Sequence, residues 1–134
     1  MRSTGTDPEH LPRGECLRLM STIGVGRIIY TRRALPAVEL VNFTLDGSDI
    51  VISTFRDELA SAARDSVVAF ETDHFSPQYK AGWSVTVIGR SREVADPRPS
   101  TGHEHVLRVT PEIITGRALR LIPEPHHRPV SIAS

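Results

Sequence analysis

Apolar and polar positions alternate along most of the chain, and the alternation gives way to helical spacing in two places. "GVGRIIYT" (24–31) is rich in β-branched and aromatic residues, and "RRAL" reads as a turn into a second such run, "PAVELVNFTL" (36–45). "DGSD" is a hairpin signal that leads into "IVIST" (50–54). The period then changes: "RDELASAARDS" (56–66) sets Leu59, Ala62 and Ala63 at helical spacing among charges, and its alanines favour a helix. Strand patterns return in "VVAFETD" (67–73) and "WSVTVIGRSREVAD" (83–96), separated by a stretch that holds charge, Pro77 and, just ahead of the strand, Gly82. After the polar "PRPSTGHE", "HVLRVTPEIITGRALRLI" (105–122) predicts a sixth strand, broken at Pro111 and Gly116. Near the start, "EHLPRGECLRLMST" (9–22) predicts a short helix despite Pro12 and Gly14, with Cys16, Met20 and Ile23 on one apolar face.

Six strands with only short helices argue against a doubly wound parallel sheet, which needs a helix between most strands. Here hairpin-length links join the first three, so the pattern predicts a mainly β, antiparallel six-stranded barrel. The 134 residues suit a single domain, with a lead over about 1–8 and a tail over about 123–134. A barrel this small is expected to leave an apolar sheet face that a second copy would cover. Ile50, Ile52, Val85 and Val87 are the expected contributors, and a homodimer is the expected state.

Composition narrows the function classes. Sixteen basic residues, fifteen of them arginine, balance sixteen acidic ones, so no net field draws nucleic acid or an anionic membrane. One cysteine cannot close an internal disulfide, and its place on the helical face predicts a packed core thiol. The first 23 residues carry six charges within an interrupted apolar pattern, unlike a signal peptide, and no stretch approaches the roughly 18 apolar residues of a membrane span. A cytoplasmic location is the expectation.

Catalytic motifs are absent: no Cys/His cluster at zinc spacing, no Walker loop, no GxSxG elbow and no dinucleotide GxGxxG. His126 and His127 sit in a Pro-flanked tail, His103 and His105 lie two apart without an evident ligand set, and His74 beside Asp73 reads as a surface pair. The best chemical signal is "STFRDELASAAR", where a strand ends in Ser53 and Thr54 and Arg56 precedes a helix. Hydroxyls, a helix start and a guanidinium suit a phosphate. Thr54 and Asp57 equally fit the [ST]-x-x-[DE] capping box, and Asp57 and Glu58 would repel an anion. Both readings stand at this point.

The order "GVGRIIYT", "VNF", "IVIST", a helix, "VVAFETD", "GWSVTVIG" and a late "ITGR" resembles the pyridoxamine 5′-phosphate oxidase-like, flavin-binding split-barrel family over roughly residues 15–122. The most specific part is "AFETD" followed by "GWSVTVIGRSREV". The resemblance implies a six-stranded split barrel, a homodimer, and FMN held in a cleft between subunits, with a deazaflavin replacing FMN in some relatives. It also implies roles by position. Asn42 matches an asparagine that lies along the flavin, Thr54 the threonine of an Arg-Thr pair at the cofactor phosphate, and Trp83 and Ser84 the Trp-Ser pair that lines the cleft.

Several positions depart from the family pattern. Ser53 stands where relatives carry arginine, Glu58 where they carry lysine, and Leu40 where proline is usual; Arg56 is the cation left to replace them. The implied cofactor set is therefore Asn42, Ser53, Thr54, Arg56, Trp83 and Ser84, with no catalytic residue assigned and no metal. The implied function is an FMN-dependent oxidoreductase with a small-molecule substrate. A deazaflavin-dependent reductase on the same barrel, or a cofactor-free dimeric binding protein, are the alternatives.

Overall fold

The computed structural model describes residues 9–95 and 104–120; the predicted lead and tail, with His103, His126 and His127, lie outside the described residues. Elements run in the order β1 (Glu9–Leu11), α1 (Arg13–Met20), β2 (Val25–Arg32), β3 (Leu35–Asp46), β4 (Asp49–Thr54), α2 (Asp57–Ala63), β5 (Ser66–Ser76), β6 (Ala81–Val94) and β7 (His105–Arg120). The sheet order is β1-β7-β4-β3-β2-β5-β6, every pair is antiparallel, and β6 also pairs with β7. That last pairing closes β2–β7 into the predicted six-stranded barrel, which removes most free edges.

The split is visible on β7. One of its edges pairs with β6 along nearly its whole length, while the other pairs with β4 over His105–Val109 and with β1 over Gly116–Ala118. Between those two partners that edge has no strand beside it among the described residues.

Turn chemistry sets the hairpins. Gly47 (φ +62°) sits in the two-residue link between the paired Asp46 and Asp49, as "DGSD" predicts. Arg33 (φ 52°) and Ala34 (φ 64°) are both left-handed between the paired Arg32 and Leu35. This is the twist a two-residue hairpin needs, reached here without Gly or Asn.

Four expectations are corrected. "EHL" is not helical: Pro12 pushes Leu11 toward extended backbone, so 9–11 becomes a strand on β7 and α1 starts at Arg13. The sixth strand is not broken. Register with β6 slips between Ile88 and Gly89, leaving Glu112 as an extra residue beside Pro111, so a bulge absorbs the proline. Gly116 is small because Cys16 packs on it: a Cβ there would lie 2.3 Å from the Cys16 sulfur. Finally, Ile50, Ile52, Val85 and Val87 do not form an exposed face. All four are fully buried inside the barrel with Ile28, Phe70 and Leu107, capped by Leu59 of α2 and by Cys16 and Met20 of α1. Closing the sheet turns its apolar side inward, where Phe43 and Phe70 meet edge to face at 4.7 Å.

The exposed apolar residues lie on the outer side instead. Val38 pairs with Ile29, Ile29 with Ala69, Ala69 with Ile88 and Ile88 with Ile113, giving one registered stripe across five strands. Val38, Ile88 and Ile113 in that stripe are exposed.

Candidate functional site

β3 and β4 set Asn42 directly opposite Ser53, and alternation turns both side chains to the outer surface. Leu40 and Phe55, at 71% and 66% exposure, are strongly exposed apolar side chains two residues from Asn42 and from Ser53, both on the same side of that polar pair. Val25, also exposed, pairs with Asn42 from β2. The result is a polar pair on an apolar floor, with Arg56 following Phe55 at the corner before α2.

Thr54 does something else. It points inward, 7% exposed, and its Oγ1 accepts the Arg56 N–H at 3.0 Å. The helix begins later than a capping box requires: its N-cap is Arg56, and no side chain caps it. The capping-box reading is corrected to a local turn in which Thr54 fixes the backbone of Arg56.

Charge at this corner is paired. Arg56 Nε lies 3.0 Å from Glu39 Oε1, and Arg32 Nη2 lies 2.9 Å from Glu58 Oε2. Tyr30 donates its phenolic hydrogen to the other oxygen of Glu39. Burial, and then the bond to Glu39, push the Tyr30 pKa up to about 12, so the phenol holds its proton and keeps Glu39 in place. Beside this network a shallow cavity of about 360 Å³ is lined by Arg32, Arg33, Asp57, Glu58, Ser61 and Ala62.

A second group joins α2 to the ends of β6 and β7. His105 Nδ1 lies 2.6 Å from Glu93 Oε2, and its Nε2 lies 2.7 Å from Asp57 Oδ1. The hydrogen bond to Glu93, then that to Asp57, raise the imidazole's pKa above its ordinary value. Glu39, Tyr30, Arg32 and His105 are the participants that sequence reasoning missed. A glutamate within the apolar run from Ala37 to Val41 was the available signal for Glu39, but the partners of His105 are 12 and 48 residues away and need the topology.

Trp83 and Ser84 stand apart from Asn42. Trp83 faces the interior, half-buried against the core, opposite His74 on β5 and Ala118 on β7. Ala118 is 13 residues along β7 from His105, the partner of Thr54 (118 − 105). Round the other side of the barrel, Ser84 pairs with Asp73 on β5, whose neighbour Thr72 donates its hydroxyl hydrogen to the Val25 carbonyl at 3.0 Å. By that route Ser84 is three strands from Asn42, about 14 Å at normal strand spacing. Gly82, just before Trp83, is required by β5: a Cβ there would lie 2.4 Å from the His74 carbonyl oxygen. Asp73 pairs with Arg27 at 2.6 Å rather than with His74, and Cys16 is buried, as predicted for a core thiol.

The residues present fit a flavin's parts. Asn42 and Ser53 offer hydrogen-bonding groups beside an apolar floor, and Arg56, 59% exposed, offers a cation. Its pairing to Glu39 does not forbid this. A partly exposed ion pair is worth about 0–1 kcal/mol, less than the roughly 1.5–3 kcal/mol of a charge-assisted bond to phosphate.

Fold and site together define a split β-barrel with an open polar and apolar face beside β3 and β4, the second and third barrel strands counted from β2. The family model for pyridoxamine 5′-phosphate oxidase matches residues 12–118, and the chain belongs to that family. An uncharacterized protein of Mycobacterium tuberculosis is 35% identical over 79% of this chain and 82% of its own length. The solved FAD-binding protein of Mycobacterium smegmatis is 33% identical, with a TM-score of 0.74 over 85% of this chain and 100% of its own. An FAD-binding protein of Mesorhizobium loti, 17% identical, shares the fold with a TM-score of 0.68 over 83% of this chain and 97% of its own. No described helix is long and apolar enough to cross a membrane.

Proposed function

We propose that this protein binds the FMN portion of a flavin nucleotide, as FMN itself or within FAD, and acts as a homodimeric oxidoreductase on a small-molecule substrate. The observation that carries the reading is the outward-facing Asn42–Ser53 pair beside the exposed Leu40 and Phe55, ending at Arg56. The similarity to the FAD-binding protein of M. smegmatis supports it. When bound, a flavin supplies hydride and single-electron transfer. The chain's part is to hold and orient: Asn42 and Ser53 bind polar edges, the floor excludes water from a ring face, and Arg56, set by Thr54 and Glu39, meets the phosphate.

The dimer is proposed from the outer stripe. Its five registered positions span about 19 Å and lie four residues, about 13 Å, from the Asn42–Val25 row. A second copy seated on the stripe would overhang that row and make a cleft of it. The test is to purify the protein, record the visible absorbance of any bound flavin, identify the released flavin by chromatography, and titrate the apoprotein with FMN, FAD and riboflavin. Saturable binding that favours the phosphorylated forms supports the reading. Binding of a deazaflavin alone, or of no flavin, overturns it.

A further inference from the structure

His105 occupies a place that no part of the proposed chemistry uses. It begins β7 beside Thr54 of β4, and its ring reaches Glu93 near the end of β6 and Asp57 in the first turn of α2. Three elements thus meet on one imidazole, 23% exposed, next to the corner that presents Arg56.

Both ring nitrogens face carboxylate oxygens. A neutral imidazole has one N–H to donate, and only the imidazolium can donate to both partners. Losing the proton therefore sets one carboxylate against a nitrogen lone pair. The surroundings decide which partner gives way. Glu93 is also held by Arg64 at 3.4 Å and sits in the β6 ladder opposite Leu107 of β7. Asp57 is 78% exposed on a seven-residue helix without a side-chain cap. The weaker hold is on α2.

The other charged groups near the ring are Arg56 and Glu58 at the start of α2, Arg92 next to Glu93 on β6, and Glu104 before β7; Arg32 and Glu39 hold the corner from β2 and β3. Among these side-chain types, imidazole is the one that ordinarily titrates near neutrality. We propose that His105 is a positioning residue: its protonated ring clasps Asp57 to Glu93, fixing the Thr54–Asp57 corner, and its deprotonation releases that corner and changes how Arg56 is presented. The consequence for flavin phosphate rests on the function proposed above; the clasp itself does not.

The experiment is a pH titration of the ligand-free protein by NMR. It follows the His105 ring nitrogens and the backbone amides of residues 55–58, in the wild type, in His105→Gln and in Asp57→Asn. The expected result is that the amides move with the same midpoint as the His105 ring. That midpoint falls in Asp57→Asn, and the amide titration vanishes in His105→Gln. Amides that ignore the ring, or keep their titration without it, overturn the clasp. Should His105→Gln not fold, Asp57→Asn decides alone, because an unchanged midpoint contradicts the proposal. A parallel measurement of the FMN-to-riboflavin affinity ratio is expected to fall severalfold as pH rises through the midpoint. If no flavin binds at any pH, the proposed function fails while the amide titration still judges the clasp.

Discussion

Arg56 and Glu39 are bound to each other at 3.0 Å across the corner between β4 and α2, and Glu39 is itself pinned by the Tyr30 hydroxyl. The cation proposed to meet the flavin phosphate is thus already engaged. In the proposed function, phosphate would have to compete with a carboxylate whose position the barrel fixes.

Glu39→Gln separates those roles, because glutamine keeps an acceptor for Tyr30 but gives up the charge. FMN affinity is expected to rise severalfold while riboflavin affinity stays level. Arg56→Ala is expected to weaken FMN by about ten- to hundredfold, the equivalent of roughly 1.5–3 kcal/mol, again sparing riboflavin. Calorimetric titration of each variant with both flavins checks this, and equal effects on the two ligands would remove Arg56 from the phosphate site.

Ile88 and Ile113 face outward as direct partners in the stripe proposed to seat a second copy. Ile88→Glu or Ile113→Glu places a charge in that contact and is expected to yield a folded monomer. Light scattering with circular dichroism separates this outcome from unfolding. A dimer that survives both substitutions would put the interface elsewhere.

Much of the barrel was legible because alternation and turn residues are local. The "DGSD" turn forms as read, and the strand expected over 24–31 and the helix expected over 56–66 appear as Val25–Arg32 and Asp57–Ala63. What failed depended on closure. Ile50, Ile52, Val85 and Val87 look the same in sequence whether a sheet stays open or curls, and only pairing of β6 with β7 makes them core. Pro111 and Gly116 read as breaks because their compensations, a bulge opposite Gly89 and the Cys16 side chain, come from distant segments. At the site, Asn42 and Ser53 could be named from sequence, but their pairing and the Glu39 hold on Arg56 are products of register.

Trp83 packs its indole on the core at one end of β6. Trp83→Ala is expected to cost stability at or below the lower end of the roughly 3–5 kcal/mol of a buried aromatic, since the ring is only half-buried. Chemical denaturation measures that cost. If the side chain also lines a flavin cleft, wild-type fluorescence should be quenched by FMN, and the variant should bind FMN more weakly at temperatures where it remains folded. Unchanged fluorescence would leave Trp83 with a packing role alone.

Gly116→Ala drives a methyl group to within 2.3 Å of the Cys16 sulfur and 3.2 Å of Leu11 Cβ. Overpacking of this kind costs about 1–3 kcal/mol. Cys16→Ala removes the obstructing sulfur, so the double variant should be less destabilised than the sum of the two single changes. Strict additivity in denaturant titrations would show that the strain lies in the β1 contact instead.

The pH dependence of stability follows from His105, whose pKa is raised in the folded protein by its hydrogen bonds to Glu93 and then Asp57. In the unfolded chain the imidazole returns to its ordinary value near 6.5. Below that value the ring is protonated in both states, and the clasp's stabilisation is fully present. As pH rises the unfolded state loses its proton first, so stability declines through the window between the two pKa values and levels off above the folded one. The ring is partly exposed to solvent, which keeps the change modest. Thermal melts across this window should therefore show the wild type losing stability relative to His105→Gln as pH rises. A difference that stays constant, or grows with pH, would mean that the folded protein does not favour the protonated ring.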